Sequence, residues 1–273
     1  MLITNNPEVA KIADDVGVDW VFIDLEKIGK EARQPELDTV KSMHHVTDIP
    51  AVKSSLTDTR LVVRVNPPGL HSRQEIDEVI EAGADIVMLP YFKSAQEAED
   101  FINHVAQRAE TCLLVETMEA VDSMEEIVAL DGIDYIHVGL NDIHLQRGTQ
   151  FMFEFLSDGL MDQLAGKIRD THIPFGFGGV GRTDALKPTG ARILGEHSRL
   201  GSTSVILSRS FINIDAFDGL EDFAASLRDG VNDIRKCLQH LETVPDDYFQ
   251  ENRRICAQEI VEVAAAMGHK DPL

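Results

Sequence analysis

Cysteine is scarce and scattered: Cys112, Cys237 and Cys256 are the three in 273 residues, and no CxxC pair occurs. That excludes a disulfide frame and leaves thiols suited to a reducing compartment. No apolar run approaches the roughly 18 residues that a membrane span requires. The opening MLITNNPEVAKIADD lacks the basic-then-apolar layout of a secretion leader, so a cytoplasmic address is expected. Positive charge is the third shortage. Only 25 Lys and Arg face 47 Asp and Glu, a formal net charge of −22. Such a surface repels nucleic acid and anionic lipid, which excludes both as partners. An anionic substrate would need positive charge brought locally, by a metal ion or by one or two arginines.

What is present is ordinary globular chemistry, 43% hydrophobic and 26% charged. Short apolar, β-branched runs alternate with helix-length amphipathic stretches, the pattern of repeated βα units. Strands are expected near 2–4, 19–24, 61–66, 86–89, 111–116, 135–138, 174–176 and 204–207. Helices are expected at 7–16, within 36–56, and at 73–82, 94–108, 123–130, 151–171 and 183–200. Asn6 and Pro7 suit a helix start. Ser94-Ala-Gln-Glu97 has the form of a capping box. Gly17, Gly83 and Gly132 sit where helices give way to strands, as left-handed caps do. Eight such strands predict one (β/α)₈ TIM barrel, a single domain over 1–273. Residues 215–273 read as helical and strand-free, with Phe223, Leu227, Val231, Ile234 and Leu238 at helical spacing. One helix must cover strand eight; the surplus is expected to pack on a neighbouring subunit.

In parallel α/β barrels the reactive residues sit at C-terminal strand ends. That rule selects Asp24 and Glu26, Arg64 and Asn66, Pro90, Glu116, and Asn141 with Asp142. Oxygen ligands without a His or Cys cluster suit a hard cation such as Mg²⁺ or Mn²⁺. Open coordination positions would then accept substrate oxygens and polarise a carbonyl.

The stretches DWVFIDLE, LVVRVNP, GADIVMLPYFKSAQEAE, VETMEAVDSMEEIVALDGIDYIHVGLNDIH and GFGG resemble the HpcH/HpaI-type class II pyruvate aldolase and citrate lyase β-subunit family, in order, over about 2–211. The resemblance implies a (β/α)₈ TIM barrel of the phosphoenolpyruvate/pyruvate-domain type whose last helix swaps onto a partner, in a hexamer built as a trimer of dimers. It implies a divalent ion, Mg²⁺ or Mn²⁺ with Co²⁺ as an alternative, and a carbon–carbon lyase acting on a 2-oxo acid and an aldehyde through a pyruvate-like enolate. Glu116 and Asp142 match the metal-binding carboxylates. The backbone amides of Leu140, Asn141 and Asp142 match the loop that holds the substrate carboxylate. Arg64 matches the arginine at the substrate carbonyl, and Asp24 and Glu26 match the family's acidic element.

Two positions depart from that pattern. Where aldolases of the family carry His after the acidic element, this chain has Lys27, and a frequent glutamine is Leu114, as in the citrate lyase branch. Lysine moves protons only when burial or a nearby cation lowers its pKa by several units. Between Asp24 and Glu26, Lys27 is expected to stay charged and to clamp a second anionic group, together with the 29–34 loop that carries Lys30 and Arg33. It is carried with Arg64 and Asp24 in the catalytic set, and His44 or His45 could supply a replacement base. Asn141 is read as shaping a tight, left-handed turn. Phe177–Gly181 superficially suggests a dinucleotide loop but lacks the placement and downstream acid for one; close backbone approach at the barrel mouth explains it better. Trp20 reads as packing. The alternatives are a citrate-lyase-like or malyl-type enzyme acting on acyl-CoA, as lyase or thioesterase, and a barrel that kept the metal and lost the activity.

Overall fold

The computed structural model describes residues 1–28, 44–211, 213 and 216–268. The fold class is the (β/α)₈ barrel, with eight parallel strands among the described residues and helices between them. Contacts group the chain into two compact units, Met1–His137 and Val138–Leu273.

The first unit runs β1 (Leu2–Ile3), α1 (Pro7–Asp15), β2 (Trp20–Asp24), α2 (Ile49–Ser55), β3 (Arg60–Arg64), α3 (Ser72–Ala82), β4 (Ile86–Leu89), α4 (Ala95–Val105), β5 (Glu110–Val115), α5 (Met118–Asp122) and α6 (Met124–Ile127). β6 (Tyr135–Val138) follows. Val21 to Ile23, Leu61 to Val63 and Ile86 to Met88 are essentially inaccessible, which is why these strands read as continuous apolar runs and not as alternating ones. β2 pairs in parallel with β3 so that Asp24 lies opposite Arg64, and Arg64 opposite Met88 of β4. Register alone therefore brings an acid and a base together at the strand ends.

Helix starts follow their sequence signals. The Asn6 side chain accepts from the Glu8 and Val9 amides. Ser94 caps Glu97, but the Glu97 carboxylate returns to the Lys93 amide, one residue before the cap, at 2.6 Å. Gly83 ends α3 at φ +114°. Gly132, at φ +88°, leaves no room for a Cβ, which would meet Ile102 at 2.8 Å.

The second unit carries α7 (Leu140–Arg147), a 3₁₀ turn at Met152–Leu156, α8 (Leu160–Arg169), β7 (Phe175–Val180), α9 (Gly190–Leu200), β8 (Ser204–Leu207), α10 (Leu220–Leu241) and α11 (Asp246–Gly268). Three expectations change here. The single helix at 151–171 is a 3₁₀ turn followed by α8. β7 runs on to Val180, past the expected 174–176, with an irregular register against β8 between Gly176 and Gly179, where a Cβ on Gly179 would lie 3.2 Å from the Ile206 carbonyl. Leu140, Asn141 and Asp142 form the first turn of α7, so Asn141 is helical and shapes no left-handed turn. The helical turn wins because its backbone bonds outweigh a local asparagine preference.

α10 buries Phe223, Leu227, Val231 and Ile234 at the predicted spacing. α11 packs on α9 of the same chain: the buried Asn252 donates to the Arg192 carbonyl at 3.1 Å and to Glu196 at 2.9 Å. Gly195 makes that approach feasible, since a Cβ there would lie 2.5 Å from the Asn252 amide.

Candidate active site

Within the first unit, four buried charges gather where β2, β3 and β5 end. Asp24, Glu26 and Glu116 are 2%, 4% and 3% exposed. Arg64 pairs with Asp24 in a fork, Nε to Oδ1 at 2.9 Å and Nη2 to Oδ2 at 2.8 Å. Its Nη2 also lies 3.4 Å from Glu26 Oε2; neither contact uses Nη1. Burial alone would lower the pKa of this guanidinium. Attraction and hydrogen bonding from Asp24, with the charges of Glu26 and Glu116, outweigh burial and raise it. Among these four residues, three carboxylates meet one guanidinium, a formal count of −2. Carboxylates this deeply buried favour a cation beside them.

Neighbouring groups hold these carboxylates in place. The Tyr91 amide donates to Glu116 Oε1 at 3.0 Å from a backbone at φ +48°, a left-handed conformation uncommon for tyrosine. Thr117 donates to the Phe92 carbonyl at 2.7 Å while accepting from the Ala120 amide, which starts α5. The β4 turn and the end of β5 are thus tied twice. The Glu26 amide donates to Asp24 Oδ1 at 3.1 Å, and the Asp24 amide donates to His44 Nδ1 at 3.0 Å. Accepting at Nδ1 fixes the buried His44 ring proton on Nε2 when the ring is neutral. Sequence reasoning missed Tyr91. Thr117 could have been found as a Thr immediately before a helix.

Lys27 is exposed, and its Nζ lies 3.4 Å from His45 Nδ1. Asn66 accepts from the Lys27 and Ile28 amides at 2.9 and 3.0 Å, and donates in turn to Glu75 at 2.7 Å. Burial raises the Glu75 carboxyl against the downward pull of those Asn66 bonds. Lys30, Arg33 and the rest of the 29–34 loop lie outside the described residues.

In the second unit, Leu140, Asn141 and Asp142 open α7 behind Gly139. First-turn amides lack helical partners and favour anions, and Asp142 places an acid on that same turn. Thiol chemistry has no support: burial pushes Cys112 well up and Cys256 to about 12. Among the described residues, no group of three or more His, Cys, Asp or Glu is gathered to hold a metal.

Residues 2–155 match the family model for HpcH/HpaI aldolase/citrate lyase, more than half of the chain. The chain belongs to that family. A curated relative, the 4-hydroxy-2-oxovalerate aldolase of Novosphingobium aromaticivorans, is 27% identical over 171 residues, 52% of this chain and 60% of the relative. The chain thus matches under two thirds of that relative's length. Among solved structures, an HpcH/HpaI aldolase/citrate lyase family protein from Burkholderia cenocepacia aligns with TM-score 0.61 at 14% identity, over 89% of this chain and 93% of that one. The CitE protein of Mycobacterium tuberculosis, in complex with magnesium, acetoacetate and coenzyme A, aligns with TM-score 0.59 at 18% identity, over 94% and 85%. At such identities the structural likeness shows the fold.

Proposed function

We propose that the protein is a divalent-metal-dependent carbon–carbon lyase, an aldolase acting on a 2-oxo acid through a pyruvate-like enolate, with an aldehyde as the second partner. The observation that supports this reading most is the buried cluster of Asp24, Glu26, Glu116 and Arg64, with its formal excess of two negative charges. A 2-oxo acid is also what the name of the Novosphingobium relative implies as substrate.

The donor chemistry suits a hard cation. Mg²⁺ keeps several waters and takes one or two carboxylates, so it needs no cage of three protein ligands. Glu116 and Asp142 are the proposed ligands, on the family resemblance, and Mg²⁺ or Mn²⁺ the ion. A bound divalent ion would supply Lewis acidity at the substrate carbonyl. Arg64 would face the same oxygen and stabilise charge as it develops, a preorganised guanidinium being most effective where water is excluded. Asp24 holds that guanidinium in orientation through its two-point pair. The amides of Leu140, Asn141 and Asp142 would bind the substrate carboxylate at the start of α7. The same reading carries a cytoplasmic address and a homo-oligomer, a hexamer or trimer of dimers. Val261 and Met267 of α11, 62% and 48% exposed, offer apolar surface for it.

The test is exchange of pyruvate methyl protons with D₂O, followed by NMR. Exchange should require Mg²⁺ or Mn²⁺ and disappear in Glu116→Ala. No exchange with any divalent ion removes the reading.

A further inference from the structure

Outside the buried cluster, the ends of β2 and β3 carry a second, exposed arrangement of donors. Lys27 and His45 are 18 positions apart in sequence, yet Nζ and Nδ1 meet at 3.4 Å. An ammonium has only protons to give. Where the ammonium donates, His45 Nδ1 accepts and Nε2 is left as the ring's outward donor. Together the two side chains present the remaining ammonium protons and one imidazole N–H, all donors. Among the described residues, no carboxylate pairs with the Lys27 ammonium, although the chain has 47 acids. In so acidic a protein, a cation at a strand end that meets no carboxylate among the described residues is conspicuous. Arg64 cannot play the same part, because Asp24 and Glu26 already occupy it.

The backbones beneath the pair are anchored. Asn66 takes both the Lys27 and Ile28 amides on one oxygen, and Glu75 holds Asn66 by its side chain and by its amide. On the other side, the His45 amide donates to Asp48 Oδ2 at 2.9 Å, and that oxygen also accepts from Asn5 at 2.8 Å. The neighbouring His44 ring is fixed on the Asp24 amide. So the attachment points are rigid while both polar heads stay in water. That is how an anion subsite is built: aligned donors, with little ordering required on binding.

We infer that Lys27 and His45 form an oxyanion-binding subsite, which takes a carboxylate or phosphate carried by the substrate away from the reacting carbonyl. Its role as the distal end of a substrate rests on the aldolase reading; the anion binding does not. Charge-assisted hydrogen bonds to one oxyanion would select acidic over neutral partners of equal size.

The test uses full-length protein with ¹³C-labelled histidine rings, the His45 signal being assigned by its loss in His45→Gln. Inorganic phosphate and succinate are titrated separately. Saturable movement of the His45 signal by either anion, weakened about tenfold or more in Lys27→Met and retained in Lys27→Arg, is the expected result. Response to phosphate alone assigns a phosphorylated substrate, and response to succinate alone a dicarboxylic one. A His45 signal unmoved by both anions, or moved equally in Lys27→Met, overturns the inference. The exchange of pyruvate protons in D₂O, measured on the same wild-type sample, separates the two failures. Absence of exchange sinks the lyase reading while leaving the subsite standing on its own titration.

Discussion

The two units each bury an arginine among acids, and the two clusters are built differently. Near the ends of β2, β3 and β5, Arg64 faces Asp24, Glu26 and Glu116. On α9, Arg199 bridges Glu196 and Asp162, Arg253 gives Asp162 a second cation, and Asn252 satisfies Glu196. Two acids meet two arginines there. The α9 cluster is closed, and its work is to tie α11 to α9. The strand-end cluster brings three carboxylates to one guanidinium. Buried ion pairs say little about stability by themselves, so the imbalance carries the information.

Arg64→Met would break the contrast most severely. It takes the two-point guanidinium away from the buried Asp24 carboxylate, so about 3–5 kcal/mol of stability should go. Mn²⁺ should restore part of the lost Tm. Arg199→Met should cost less, about 1–3 kcal/mol, because Arg253 and Asn252 keep their partners, and Mn²⁺ should not rescue it. Scanning calorimetry of both variants with and without the ion reads the difference directly. Equal losses, or rescue of both, would show the clusters to be alike.

A second comparison isolates the α9 side. Asn252→Ala removes a buried amide and takes the donor from Glu196 Oε1, a cost of about 1–3 kcal/mol in denaturant unfolding. Its Mn²⁺ affinity should stay at the wild-type level. A coupled loss of ion binding would mean that the closed cluster supports the open one.

The smallest effect concerns the anchor beneath His45. Burial would raise the Asp48 carboxyl, but hydrogen bonds from Asn5 and the His45 amide, with the charges of His44 and His45, together lower it. A lowered carboxylate stabilises the fold above its unfolded pKa, about 3.9. That contribution fades as pH falls through the lower folded value. Asp48→Asn should therefore cost under about 1 kcal/mol at neutral pH, with the gap to wild type closing below about pH 4. A gap that widens on acidification contradicts the sign.

The strands and the acidic strand ends were legible because both are local. Runs such as VFI, LVV and IVML are long enough to declare buried parallel strands, and residues just past them must lie at the strand ends. Asp24 and Arg64 were each visible on that ground. Their fork was not, since it depends on the β2–β3 register, which the sequence does not state. Tyr91 was hidden for a different reason. Its function is carried by a backbone amide at positive φ, and no side-chain pattern advertises that. The Lys27–His45 contact joins residues 18 positions apart, a proximity that periodicity cannot measure. Asn141 misled through a real local preference, overruled by the first turn of α7.

Titration of the metal-free protein with Mn²⁺, monitored by the EPR signal of the free ion, weighs the open cluster directly. One ion per chain should bind, and Glu116→Gln should weaken it at least about a hundredfold, since a charged ligand is lost. Full retention of binding in Glu116→Gln, or no binding in the wild-type chain, would contradict the account.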